Sequence, residues 1–294
     1  MAIFTGAGVA IVTPMYADGS VNFEKLEKII NDQINNGTDA IVICGTTGES
    51  STLSEPEHIE CIRAAVAATK KRVPVIAGTG SNDTQTAIYL TKEAEAAGAD
   101  GALLVSPYYN KATQKGLIAH FKAVAESVSI PVILYNVPGR TGVNIKPETY
   151  ARLAENPKIV GIKEANGDIS SVVDTMSRCG DKIDMYSGND DQIVPILSMG
   201  GIGCISVISN LLPAETKQIC QKWFDGDPAG AAALQMKYKK LIDALFSEVN
   251  PIPIKAALHA LGLCSDYARL PLTPMSPAAR AHLIQCMREV EINV

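Results

Sequence analysis

The sequence predicts an α/β fold, a (β/α)8 barrel followed by a C-terminal appendage of three helices. Short apolar runs recur about every 25 to 35 residues, and segments with helical spacing of apolar residues follow them. Eight such runs are present, and a chain of 294 residues is long enough for one barrel with an appendage. Because crossovers between parallel strands are right-handed, few other arrangements of eight units are available.

The predicted strands are nearly continuous apolar runs, as expected of strands that are covered on both faces. In chain order they are residues 8–12, 40–43, 73–77, 101–105, 131–135, 159–164, 184–186 and 202–207. The seventh, Asp184-Met185-Tyr186, is the weakest signal of the eight.

The helices are predicted from spacing and from their start signals. They cover residues 23–35, 84–97, 114–127, 147–155, 192–199 and 213–224. Another helix begins after the second strand at Ser54, because Ser54-Glu55-Pro56-Glu57 has the form of a capping box with proline in the first turn.

The strand and helix alternation stops after Gly226-Asp227-Pro228, and only helical patterns remain, at 229–246, 253–261 and 277–290. We therefore divide the chain into a catalytic barrel, residues 1–225, and a C-terminal helical domain, residues 226–294. The proline-containing breaks in the appendage are turn signals, so we expect it to pack on the barrel.

Composition excludes several classes of function. A net charge of −5 and no basic block argue against a nucleic-acid partner. No run of eighteen apolar residues is present, so no membrane span is predicted, and the N-terminus does not resemble a signal peptide. The seven cysteines lack a C-x-x-C pair, which suits free, mostly buried thiols in a reducing compartment. We expect a cytoplasmic protein.

No metal or cofactor is predicted. The four histidines are isolated from one another, and no nucleotide-binding fingerprint faces the catalytic end of the barrel. Cys44 precedes a threonine-rich loop, and we expect it to be a buried, unreactive thiol.

Lys163 stands near the end of the sixth apolar run. Burial disfavours an ammonium and favours the neutral amine, which is a nucleophile toward carbonyls. The alternative is a lysine that leaves the strand end and reaches solvent.

The active site of such a barrel lies at the C-terminal ends of its strands. Loop 45–50 follows the second strand and brings Thr46 and Thr47 between glycines, a pattern that suits a small anion or a plain turn. Tyr135 ends the fifth strand and Arg140 follows in a Pro-Gly-Arg turn. They could be an aromatic plug and a surface cation, but together with Lys163 they predict a Schiff-base lyase acting on a small keto acid.

These motifs resemble the pyruvate-dependent class I aldolase superfamily of TIM-barrel enzymes, and within it the dihydrodipicolinate synthase family. The resemblance is carried by residues 45–49 (GTTGE), 135–141 (YNVPGRT) and 161–164 (GIKE), and it extends from Gly8 to Leu272. It implies condensation of pyruvate with L-aspartate 4-semialdehyde, the first committed step of lysine and diaminopimelate biosynthesis.

The resemblance also implies residue roles. Four residues would be catalytic: Lys163 forms the imine, Tyr135 transfers protons, and Thr46 links Tyr135 to Tyr109. Four others would bind substrate: Thr47, Arg140, Gly188 and Ile205. Tyr109 would enter the site from a neighbouring subunit, which implies at least a dimer and usually a homotetramer.

A lysine feedback site is implied at Ser50, His58, Asn82 and Tyr108. Because Glu55 and Thr86 depart from the pattern of the inhibited enzymes, we expect weak or absent inhibition. Lyases for N-acetylneuraminate or 2-keto-3-deoxygluconate remain an alternative, as does a barrel that binds ligand without catalysis. The lyases generally lack this arginine and carry Gly-Ser-Thr-Gly-Glu in the first loop.

Overall fold

The structure is a computed structural model that describes residues 2–294. Eight parallel strands pair in sequence order, and β8 pairs with β1 to close the barrel. The strands are β1 Gly6–Ala10, β2 Ala40–Ile43, β3 Val75–Gly78, β4 Gly101–Val105, β5 Val132–Asn136, β6 Ile159–Glu164, β7 Asp184–Ser187 and β8 Gly203–Ser206. The predicted (β/α)8 barrel is confirmed.

Within residues 2–225, nine α-helices surround or connect the strands. They are α1 Phe23–Asn35, α2 Glu55–Thr69, α3 Thr84–Ala96, α4 Gln114–Glu126, α5 Pro138–Thr141, α6 Pro147–Leu153, α7 Ile169–Cys179, α8 Ile193–Ser198 and α9 Pro213–Phe224. Ser54 caps α2 with the reciprocal bonds of a capping box, as predicted. Helix α7, which begins behind an Asp168 cap after the sixth strand, is absent from the predicted helices.

Successive residues of a strand alternate between the barrel interior and the surrounding helices. On β5, Ile133 and Tyr135 belong to the interior cluster, whereas Leu134 packs into the cluster between strands and helices. The register pairs Tyr135 with Lys163, so Lys163 faces the barrel interior and Glu164 faces the helices.

The C-terminal part contains four helical segments, so the predicted count of three is wrong. They are α10 Pro228–Lys237, α11 Lys239–Leu245, α12 Ile252–Ala260 and α13 Pro277–Glu289. The predicted helix 229–246 is interrupted at Tyr238, whose amide bonds to the Gln235 carbonyl three residues back and tightens the turn.

The C-terminal helices pack on the barrel, as expected. Leu241, Leu258 and Leu283 share one apolar cluster with Ile41 of β2 and Ile62 of α2. A division of the chain at residue 225 stays a prediction. Within residues 2–294, no helix has the length and apolarity that crossing a membrane requires.

Candidate active site

Lys163 is a buried amine with only 5% of its surface exposed. Its Nζ atom lies 4.3 Å from the centroid of the Tyr135 ring. Burial lowers the pKa of Lys163 to about 8, although the nearby Asp190 carboxylate opposes that shift. Near pH 8 a large share of this amine is neutral, so it can attack a carbonyl carbon.

Tyr135 supplies a phenol beside that amine. Burial raises the pKa of Tyr135, while the positive charge of Arg140 and the Thr46 hydroxyl lower it in part. The phenol therefore holds its proton at neutral pH and has a hydroxyl neighbour to exchange it with.

Loop 45–50 is held in a tight conformation at the end of β2. The Gly48 amide bonds to the Gly45 carbonyl, and the Glu49 amide bonds to the Thr46 carbonyl. Glu49 has a φ of 57°, in the left-handed region that is unusual for a side chain with a Cβ atom. The loop thus places Thr46 and Thr47 at the mouth of the barrel.

Arg140 lies on the one-turn helix α5, between β5 and α6. Its Nη2 atom donates to the backbone carbonyl of Asn250, at 2.9 Å. With Thr46, Ser50, Tyr108 and Asn250 it lines a cleft of about 230 Å³. The cleft is large enough for a small keto acid or aldehyde, and Arg140 gives it a cation for a carboxylate.

Two predicted substrate-binding residues line the inside of the site. Gly188 follows β7, and a Cβ atom added to it would lie 3.1 Å from Cγ of Lys163. The same Cβ atom would lie 2.9 Å from Ala165 Cβ and 3.0 Å from the Glu164 carbonyl oxygen, so a side chain there would crowd the end of β6 next to the lysine. Ile205 is fully buried on β8 and belongs to the interior cluster that includes Tyr135.

The structure brings Lys163, Tyr135, Thr46 and Arg140 to one end of the barrel, the end at which the loop that carries Tyr109 also begins. Tyr109 follows β4 with 88% of its surface exposed and a φ of 73°.

Two buried carboxylates received no role from the sequence. Glu164 accepts hydrogen bonds from Asn136 Nδ2, the Tyr150 hydroxyl and the Asn166 amide, and burial raises its pKa to about 7. Asp190 Oδ2 accepts from the amides of Val207 and Ile208, at 3.1 and 2.8 Å. The signal for Glu164 was a second ionisable residue in the apolar run of Lys163.

Three C-terminal residues that hold loop 45–50 had no signal in the sequence. Lys255 Nζ donates to Glu49 Oε1 at 2.5 Å, and the Arg269 amide donates to Glu49 Oε2 at 3.0 Å. Asn250 Nδ2 donates to the Thr47 hydroxyl oxygen at 3.0 Å. These contacts join residues more than 200 positions apart, which no local pattern reveals.

The residues of the predicted lysine site are spread over four segments of the chain. Ser50 and Tyr108 line the cleft described above. His58 is buried on α2, with Nε2 2.7 Å from the Gly78 carbonyl oxygen. Asn82 precedes α3, and its carbonyl accepts from Asn110. Thr86 is bonded to Asp83, the cap of α3.

The cysteines are buried and free, as predicted. Burial raises the pKa of the Cys44 thiol well above its ordinary value, and Sγ contacts the His58 carbonyl oxygen at 3.6 Å, which supports an unreactive role. Residues 2–294 contain no group of three or more histidine, cysteine, aspartate or glutamate residues arranged to hold a metal.

A barrel with a strand-borne, partly neutral lysine beside a buried phenol has the site of a class I, Schiff-base-forming aldolase. The model of the dihydrodipicolinate synthetase family matches residues 3–290. The chain belongs to this family.

Individual relatives agree with the family match. The 4-hydroxy-tetrahydrodipicolinate synthase of Lachnoclostridium phytofermentans is 58% identical over 99% of both chains. The crystal structure of the chloride-inhibited dihydrodipicolinate synthase of Acinetobacter baumannii, complexed with pyruvate, has a TM-score of 0.96 and 47% identity, covering 98% of this chain and 99% of that chain. The enzyme of Cyanidioschyzon merolae with lysine bound has a TM-score of 0.97 and 40% identity, covering both chains completely.

Proposed function

We propose that this enzyme condenses pyruvate with L-aspartate 4-semialdehyde, the reaction of a 4-hydroxy-tetrahydrodipicolinate synthase. The proposal rests above all on Lys163, a buried amine with a pKa of about 8 whose Nζ atom lies over the Tyr135 ring. The names of the relatives, which match essentially the whole chain, supply the substrates.

The first half of the reaction makes an enamine. The Lys163 amine attacks the keto carbon of pyruvate, and loss of water gives a protonated imine. The Thr47 hydroxyl, the Thr46 loop and the backbone at Ile205 hold the pyruvate carboxylate. Loss of a methyl proton, through Tyr135, converts the imine to an enamine whose terminal carbon is nucleophilic.

The second half joins the two substrates. The enamine carbon attacks the aldehyde carbon, and Tyr135 protonates the new alkoxide. Arg140 holds the carboxylate of the semialdehyde at the mouth, and Gly188 leaves space beside Lys163. The substrate amino group then attacks the imine carbon and releases Lys163 as the ring closes, so the lysine leaves unchanged.

The assembly is part of the proposal. Thr46 would pass protons between Tyr135 and a Tyr109 from another copy, since Tyr109 of the same chain is exposed. We therefore propose a homotetramer built from dimers that share their active sites. A cytoplasmic location stays a prediction.

Feedback by lysine is proposed to be weak. The carboxylate expected near the lysine amine is replaced by Thr86, whose hydroxyl is already bonded to Asp83. Half-maximal inhibition by micromolar lysine in a steady-state assay would contradict this.

Borohydride trapping tests the central step. The enzyme is reduced in the presence of pyruvate, and its intact mass and peptides are measured. One pyruvate-derived mass on Lys163 supports the proposal, and folded Lys163→Met, which has no amine at this position, is the control. Absence of the adduct in the folded wild type would remove the imine mechanism. Comparing aspartate 4-semialdehyde with sugar aldehydes then separates the synthase from the sugar-acid lyases.

A further inference from the structure

Asn250 connects two groups that the proposed function assigns to different substrates. It lies between α11 and α12 and is buried, with 6% of its surface exposed. Its side-chain Nδ2 donates to the Thr47 hydroxyl oxygen, at 3.0 Å. Its backbone carbonyl accepts from Arg140 Nη2, at 2.9 Å. One residue of the C-terminal part thus contacts both loop 45–50, which is proposed to hold pyruvate, and Arg140, which is proposed to hold the semialdehyde.

The bond to Thr47 has a direction. A hydroxyl has one hydrogen, and it can accept a hydrogen bond and donate another at the same time. Because the Asn250 amide donates to the Thr47 oxygen, the Thr47 hydrogen is left to donate elsewhere. The Thr47 hydroxyl makes no other hydrogen bond within residues 2–294. Its hydrogen is available for a carboxylate oxygen in the site.

The other end of the Asn250 amide supports a dedicated arrangement. Oδ1 is buried and has no hydrogen-bond partner within the part of the chain that the structure describes. An unpaired buried oxygen is costly, and in a native protein such a group calls for an explanation. Orientation of the Thr47 hydroxyl toward bound substrate would explain why the chain keeps this amide in place despite the cost of its unpaired oxygen.

We infer that Asn250 is a positioning residue: its side chain orients the Thr47 hydroxyl toward the pyruvate carboxylate, and its carbonyl holds Arg140 for the second substrate. The inference rests on the proposed function. The two roles use different atoms, so a side-chain substitution removes one and keeps the other. A residue that merely stabilised the fold would affect both substrates alike.

The test measures both substrates separately. Asn250→Ala is expected to raise KM and the dissociation constant for pyruvate about 3- to 10-fold, the range for a lost hydrogen bond between neutral groups. KM for aspartate 4-semialdehyde should change less than about twofold, because the carbonyl that holds Arg140 remains. If Asn250→Ala does not fold, Asn250→Ser carries the same comparison.

Two further variants test the direction of the bond. Asn250→Asp keeps the shape but presents an acceptor, so the Thr47 hydroxyl must donate to it and pyruvate binding should fall further. In a Thr47→Val background, adding Asn250→Ala should change pyruvate binding no further. Asn210→Ala is the matched control, because Asn210 is equally buried and bonds the Ala10 carbonyl at 2.8 Å; it should lower Tm without raising KM for pyruvate.

The outcomes separate the inference from the proposed function. Wild-type pyruvate affinity in Asn250→Ala or Asn250→Asp would overturn the inference, as would equal losses for both substrates. A wild-type enzyme that forms no borohydride-trapped adduct would instead overturn the proposed function.

Discussion

Two buried lysines occupy different regions of this molecule and have opposite surroundings. Lys163 lies inside the barrel, 5% exposed, with an aromatic ring as its near neighbour. Lys255 lies where α12 meets the barrel loops, fully buried, and donates to Glu49 Oε1 at 2.5 Å and to the Thr13 carbonyl at 3.1 Å. Both amines have left water, but only Lys255 forms an ion pair with a carboxylate; Asp190 lies near Lys163 and acts on it through its charge alone.

The comparison shows that pairing, more than burial, decides what a buried amine does. The amine of Lys255, bonded to a buried carboxylate and a carbonyl, holds two segments of the chain together. An amine with no such partner loses its proton more easily and becomes a nucleophile. The predictions below test this contrast, in order of expected effect.

Lys163→Met should abolish turnover and leave the fold intact. We expect kcat to fall by about four to six orders of magnitude, the size found when a covalent nucleophile is removed. Steady-state assays and circular dichroism measure the two properties. A folded variant with more than a hundredth of wild-type activity would show that another group forms the imine.

Lys255→Met should lower stability strongly, because it leaves the Glu49 carboxylate buried without its cation. Breaking one partner of a buried pair costs about 3–5 kcal/mol. Urea unfolding measures the loss. Lys255→Met combined with Glu49→Gln removes the stranded charge and should recover part of the loss; equal stability of the single and double variants would argue against the pairing.

Lys163→Met should raise the free energy of unfolding, whereas Lys255→Met should lower it. The folded-state pKa of about 8 is below the ordinary 10.5, so the unfolded chain binds more protons between these values and wild-type stability rises with pH there. Below pH 8, Lys163→Met should be more stable than the wild type by about 1–3 kcal/mol. The gain should shrink toward pH 10.5. If Lys163→Met is less stable than the wild type at pH 7, the buried Lys163 amine does not destabilise the fold.

Imine formation should follow the titration of Lys163. Below its pKa of about 8, the rate of borohydride trapping at saturating pyruvate should rise about tenfold per pH unit and level off above it. Stopped-time trapping at pH 6, 7, 8 and 9 measures this profile. A rate that still rises tenfold between pH 9 and 10 would indicate an ordinary lysine.

Glu164 follows Lys163 on β6 and faces the helices. Glu164→Gln should change how the stability of the fold depends on pH. The folded pKa of about 7 is raised from 4.5, so the folded chain holds a proton that the unfolded chain loses, and stability falls as pH rises through this range. Glutamine cannot titrate, so that fall should be smaller by about 1–3 kcal/mol in the variant. The free energy of unfolding of both proteins is measured at pH 4.5 and 7.5. If it changes by the same amount in the two proteins, Glu164 is not the source of the pH dependence.

Local patterns predicted most of the fold. Apolar runs and the Ser54 capping box located the strands and α2, since both signals depend on residues close in sequence. They missed α7, and they missed the break at Tyr238, where the pattern continues but the backbone turns more tightly. The predicted site residues were found at strand ends because barrel topology brings those ends together.

The sequence by itself determined the strand-borne lysine, the threonine loop and the Pro-Gly-Arg turn, because each is a short segment whose chemistry is carried by adjacent residues. The tertiary structure alone decided which buried polar groups are paired. Glu49 with Lys255, and Thr47 with Asn250, are separated by 206 and 203 residues. Such contacts depend on how α12 packs against the barrel loops, and the burial that lowers the pKa of Lys163 depends on barrel closure.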